Sequence, residues 1–110
     1  MVEWLNGLPY AITVCDLQGI ILKMNEKAVE SFRKFGGAAL VGKNLLDCHS
    51  ESSRSKLLHL LESGERNIYT IEKNGIRKLI CQTPWFQNNQ RCGMVELSIE
   101  IPWDMPHFQR

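Results

Sequence analysis

RKLICQTPWFQNNQRCGMVELSIEI, residues 77–101, carries the reading of the fold. Two apolar-rich runs, 76–86 and 92–101, flank the polar segment Gln87-Asn88-Asn89-Gln90 with a Pro84-Trp85-Phe86 corner before it. Such a pattern predicts an antiparallel hairpin. In the second run Val95, Leu97, Ile99 and Ile101 alternate with Met94, Glu96, Ser98 and Glu100. A period of two describes a strand with one buried face. A sheet with one apolar face needs a layer to cover it, and the rest of the chain is read as that layer and its neighbouring strands.

Working back, Asn74-Gly75 is a strong two-residue hairpin turn, because both central positions of that turn need positive φ. It joins a strand over 66–73 to the one beginning at Ile76. Before it, residues 50–63 predict the clearest helix, capped by Ser50 or Ser52, with Leu57, Leu58 and Leu61 as its stripe and Gly64 as its stop. Residues 38–49 read as one or two single-turn helices. Asn25 caps a helix through Phe32 whose stripe is Ala28, Val29, Phe32 and Phe35, ended by Gly36-Gly37. Ala11–Cys15 and Ile20–Met24 form a first hairpin around Asp16-Leu17-Gln18-Gly19. The expected fold class is α+β: a five-stranded antiparallel sheet, in chain order β-β-helices-β-β-β, with helices on one face. Residues 1–10 are an N-terminal cap segment, 11–101 the domain, and 102–110 an irregular tail broken by Pro102 and Pro106.

Composition limits the function classes. The 110 residues suit one core, and 44% hydrophobic with 23% charged residues is ordinary for a globular domain. A formal net charge of +1 makes no electrostatic case for nucleic acid or an anionic membrane. No apolar run approaches the roughly 20 residues of a membrane helix. Met1-Val2-Glu3-Trp4 lacks the pattern of a signal peptide, so the expected location is the cytoplasm. Cys15, Cys48, Cys81 and Cys92 are widely spaced and read as reduced thiols, packed as small hydrophobes.

The order of these pieces resembles the PAS domain family, over roughly residues 5–101. The matching pieces are the strand Ala11–Cys15, the turn Asp16-Leu17-Gln18-Gly19, the strand Ile20–Met24, Asn25 opening the first helix, Gly42 in Val41-Gly42-Lys43-Asn44, and Pro84 with Gly93 in the last two strands. Residues 41–49 with the Ser-rich helix start are similar to small bacterial PAS domains. The resemblance implies a sensory, non-catalytic module of signal transduction that holds a small molecule, or nothing, between sheet and helices. It further implies dimer contacts on the outer sheet face and coupling to a signalling effector domain or protein.

The turns assign faces. With Gln87–Gln90 as the loop, Phe86 opposes Arg91, Gln82 opposes Val95, and Ile80 opposes Leu97. With Asn74-Gly75 as the turn, Ile71 opposes Lys78 and Tyr69 opposes Ile80. This register expects Gln82, Tyr69, Ile71, Ile80, Val95 and Leu97 on the inner face, joined by Thr13, Cys15, Ile20, Leu22 and Met24 of the first hairpin, with Leu57 and Leu61 packed over them. Gln82 and Tyr69 either bond each other, backbone or a buried water, or orient a ligand. Leu79, Cys81, Thr83, Trp85 and Met94 are expected outside, covered by Trp4, Leu5 and Leu8, by a second copy of the chain, or by both.

Other chemistry is weaker. Cys48-His49 are neighbours that do not face each other on a helix, and no third metal ligand is near. His59 lies where some haem-binding relatives carry an axial ligand, but it sits about 160° from Leu61 around the helix, so haem is not expected. Flavin-photoreceptor relatives carry an Asn-Cys-Arg-Phe-type motif where this chain has Asn44-Leu45-Leu46-Asp47-Cys48, so a flavin adduct is not expected. The cofactor is open. The alternatives are a purely structural dimer with a filled core, and a small isomerase-like enzyme. The latter needs an inner-face carboxylate or His, and this register supplies only Lys78 and Tyr69 as inward ionisable groups.

Overall fold

The structure, a computed structural model, describes residues 2–110; Met1, which opens the expected N-terminal segment, lies outside the described residues. Five antiparallel strands form one sheet: β1 (Ala11–Asp16), β2 (Ile21–Met24), β3 (Asn67–Lys73), β4 (Ile76–Gln87) and β5 (Gln90–Ile101). Their spatial order is β2-β1-β5-β4-β3, so the last strand of the chain lies at the centre. Two α-helices, α1 (Glu26–Ser31) and α2 (Glu51–Ser63), lie between the first two strands and the last three, with 3-10 turns at Arg33–Phe35, Gly37–Leu40 and Leu45–Cys48. The expected block of helices is observed, and the one or two single turns expected over 38–49 are two, Gly37–Leu40 and Leu45–Cys48.

Asn25 is the joint of the N-terminal half. Wholly buried, its Oδ1 accepts from the amides of Ile12 (2.9 Å) and Ala28 (3.0 Å), and its Nδ2 donates to the carbonyls of Leu5 and Tyr10 (both 2.8 Å). One amide thus caps α1, aligns β1, and ties down the N-terminal 3-10 turn Glu3–Gly7. The Asp16 carboxylate accepts from Gln18 and Ile20, closing the first hairpin as its sequence predicts.

The core lies at one end of the sheet. Cys15, Ile21 and Met94 from the strands meet Leu40 and Leu45 from the 3-10 turns and Leu57, Leu60 and Leu61 from α2. At roughly 1.5–3 kcal/mol per buried aliphatic side chain, this cluster is the main hold on α2 and on the 3-10 turns at Gly37–Leu40 and Leu45–Cys48. Leu60, not Leu58, completes the α2 stripe, and Leu58 faces solvent. Phe35 is also exposed, because α1 gives way to a 3-10 turn before it and the helical phase is lost.

Two bulges change the expected faces. In the β1–β2 pair the register shifts between Val14 and Cys15, so Cys15 opposes Ile21. Ile21 therefore enters the core, whereas Leu22, expected inside, is exposed. In the β4–β5 pair Asn88 and Asn89, at φ 53° and 63°, form a two-residue turn, and Phe86 opposes Arg91 as expected. Trp85 then opposes Gly93, leaving Cys92 as an extra residue. Every later partner moves by one: Gln82 opposes Glu96 and Ile80 opposes Ser98, where Val95 and Leu97 were expected. Val95 and Leu97 consequently point outward and Met94 inward, 3% exposed in the core. The β3–β4 register is the expected one, with Tyr69 opposite Ile80 and Ile71 opposite Lys78.

Candidate functional site

Because β5 is central, its alternation decides both faces of the sheet. Facing the helices, one cross-strand row runs Thr13, Glu96, Gln82, Asn67 over β1, β5, β4 and β3. All four are polar. Gln82 Nε2 donates to Glu96 Oε2 at 2.8 Å, and Asn67 Nδ2 donates to Gln82 Oε1 at 2.8 Å. An ionised carboxylate only accepts, so Glu96 fixes which end of Gln82 faces it, and Gln82 in turn fixes Asn67. The relay has one direction. Gln82, 4% exposed, bonds these two residues, neither of them expected, and not Tyr69.

Two clefts flank this row on the helix side. One, about 280 Å³, is lined by His49, Ser52, Ser53, Lys56 and Leu57 opposite Asn67, Tyr69 and Gln82. The other, about 180 Å³, lies between Ser31 and Phe32 and the strand residues that include Ile71, Lys78, Ile80, Glu96 and Ser98. By contrast, the space ringed by Thr13, Ile21, Met24, Phe32, Leu40, Leu45 and Cys48 has no room for a water molecule. The interior is therefore filled between β2 and the 3-10 turns, and open over β3, β4 and the Ala11–Thr13 end of β1.

Of the residues expected at the cavity, Thr13, Cys15, Leu57, Leu61, Ile80 and Gln82 are buried on the helix side, and Met24 packs against the core. Tyr69 and Ile71 edge the clefts, at 41% and 37% exposure. Partial burial raises the Tyr69 pKa above the usual tyrosine value, and the Glu96 charge adds to the rise. Glu96, Asn67, Lys56, Ser52 and Ser53 were not among the expected site residues. For Glu96 the signal was the Gly in a strand pattern at Gly93, a mark of a bulge. Placing it would have brought Glu96 inward and supplied the inner carboxylate that the earlier register lacked.

The outer face is the apolar one. Ile12, Leu97, Cys81 and Ile68 form one cross-strand row, and Val14, Val95 and Thr83 form the next. Leu79, Cys81, Thr83 and Trp85 lie on this side as expected, whereas Met94 does not. The Trp85 indole reaches across β5 and donates to the Cys15 carbonyl at 2.9 Å. Trp4 is 64% exposed, and the turn that carries Trp4 and Leu5 is bonded to Asn25 and, through Asn6, to Glu26. Leu8 follows that turn, half-buried. These bonds hold the segment at the start of α1.

The remaining candidates stand apart. His59 is exposed on α2 and meets Glu65 at 3.2 Å. His49 Nδ1 bonds the Leu45 carbonyl at 2.9 Å, and Cys48 packs on the core, its pKa raised by burial. Among the described residues there is no group of three or more His, Cys, Asp or Glu arranged to hold a metal, and no helix is long and apolar enough to cross a membrane.

No protein-family model matches the chain, and no curated protein does. Solved structures do match. The PAS domain of BvgS from Bordetella pertussis superposes with a TM-score of 0.67 at 17% identity, over 91% of this chain and 82% of that one. The chain has the PAS fold. A sensory box sensor histidine kinase from Vibrio cholerae matches at TM-score 0.61 and 18% identity, over 91% of this chain and 88% of that one. The Aer2 receptor from Vibrio cholerae, a dual PAS-heme oxygen sensor, matches at 0.62 and 17%, over 84% and 95%. At these identities the likeness concerns the PAS fold. The polar row and its bulge are properties of this chain's own residues.

Proposed function

We propose that this chain is a sensory signal-transduction module without catalytic activity. It binds a small molecule over the helix-facing side of the sheet and pairs with a second copy through the outer side. The polar row Thr13–Glu96–Gln82–Asn67, set beside open clefts, carries the reading. The bonds within the row leave one Gln82 amide hydrogen and the Asn67 carbonyl oxygen to spare, and a few converging polar groups in a partly apolar cleft suit ligand recognition. The fold is shared with domains of a sensor kinase and a receptor, which supports a signalling role and an effector as partner. The outer rows of Ile12, Leu97, Cys81, Ile68, Val14 and Val95 form an apolar surface of the kind a second copy covers.

Native mass spectrometry of freshly purified protein tests the ligand reading. A retained molecule that disappears in Gln82→Leu is the expected result. A bare chain mass, with no small molecule altering the clefts, overturns it. A second reading rests on Glu96, an inner-face carboxylate of the kind a small isomerase-like enzyme uses as a proton acceptor. Chemical change of the retained molecule on incubation, abolished in Glu96→Gln, would replace sensing with catalysis. The filled space between β2 and the 3-10 turns is what a purely structural dimer would have throughout, and the open clefts argue against that alternative.

A further inference from the structure

The lining of the clefts narrows the chemistry of the molecule they receive, an inference that rests on the ligand reading above. Lys56 lines the cleft beside α2, and Lys73 and Lys78 line the one beside α1. Against these three cations the clefts present one carboxylate, Glu96, and one of its oxygens already accepts from Gln82. The one ion pair among the described residues is His59–Glu65, so none of the three lysines meets a carboxylate at ion-pair distance. Glu51, in the first turn of α2, is exposed and does not line either cleft.

The neutral groups around Lys56 add to this bias. Ser52 and Ser53 offer hydroxyls from the same helix face, and Tyr69 offers its phenol from β3. His49 spends Nδ1 on the Leu45 carbonyl, which only accepts, so that nitrogen carries the hydrogen and in the neutral ring Nε2 is an acceptor, suited to a hydroxyl or amine of the ligand and not to its oxyanion. The Gln82 amide has two hydrogens, and Glu96 takes one. Asn67 donates to Gln82 and keeps its own carbonyl oxygen for a ligand hydroxyl or amine. An unpaired ammonium, three hydroxyls and a buried amide around about 280 Å³ suit an anionic head on a small polar body.

We infer that the α2-side cleft recognises a small organic molecule bearing an oxyanion, whose charge Lys56 meets and whose polar body Gln82 and Asn67 orient. The test follows the amide NMR shifts of Ser52, Ser53, Lys56, Asn67 and Gln82 at constant ionic strength. The probes are succinate, inorganic phosphate and the uncharged succinamide. A saturable shift with succinate or phosphate, and none with succinamide, is expected; which anion saturates tells a carboxylate from a phosphate. Lys56→Gln should weaken that binding about tenfold, the loss of one charge-assisted hydrogen bond, and Lys56→Arg should restore most of it. Equal binding to Lys56→Gln, or succinamide binding as well as succinate, overturns the anion inference while leaving a ligand site in place. No shift with any probe also overturns it, and together with a bare mass in native spectrometry removes the ligand reading as well.

Discussion

The indole nitrogen of Trp85 lies 2.9 Å from the carbonyl oxygen of Cys15, and Gly93 sits between their strands. Gly93 has φ 155°, and a Cβ there would overlap that same oxygen. Here the bulge, the hairpin and the first strand meet, and only glycine fits the approach. Gly93→Ala should cost roughly 3 kcal/mol or more, through backbone strain and displacement of β1. Urea unfolding of the variant beside Trp85→Phe, which loses one hydrogen bond for about 1 kcal/mol, checks the order of the two effects.

The Gln82–Glu96 bond predicts a non-additive pair. Gln82→Leu leaves both Glu96 and Asn67 without their partner and should destabilise by about 1–3 kcal/mol. Adding Glu96→Leu removes the stranded carboxylate, so the double variant should recover part of the loss. Denaturant midpoints of the two singles and the double decide it. Simple additivity would mean that the relay contributes nothing.

The outer face predicts self-association sensitive to charge. Leu97→Glu places a carboxylate at the centre of the Ile12–Leu97–Cys81–Ile68 row without touching the core. Sedimentation velocity should show dimer for the parent chain and monomer for the variant. An unchanged dimer would move the interface elsewhere.

Cys15 gives a pH prediction. Burial raises its thiol from 9.0 to about 11, beyond what the Met94 backbone bond lowers. The unfolded chain then loses this proton at lower pH than the folded one. The contribution to stability is intact below about pH 9 and falls away as pH rises towards 11. The fall should be roughly 2–3 kcal/mol steeper for the parent than for Cys15→Ala over that range. The same burial should leave Cys15 unreactive to iodoacetamide until the chain unfolds, while half-buried Cys92, outside the proposed pairing rows, reacts in the folded state.

Much of this architecture is written locally. Asn74-Gly75 imposes its turn because both positions adopt positive φ, 54° and 76°. Asp16 closes the first hairpin with its own carboxylate, and Asn25 caps α1 with its own amide. These effects act over four residues or fewer, so residue identity is enough to reveal them, and with them the five strands, their order in the chain and the fold class. The β3–β4 register follows from the same logic, since nothing interrupts the pairing beyond its turn.

The faces of β5 were decided by tertiary structure. Alternation shows that Val95, Leu97 and Ile99 share a side, but not which side meets the helices. One extra residue at Cys92, accommodated where Gly93 passes Cys15, turns the apolar stripe outward and the stripe of Met94, Glu96 and Ser98 inward. Agreement between the two hairpins could not reveal this, because β4 keeps its own alternation whatever β5 does. The residues of 77–101 determine that a two-faced hairpin forms. The contact between β5 and β1, about 80 residues apart in the chain, determines that its polar face turned towards the helices as the candidate site and its apolar face turned outward.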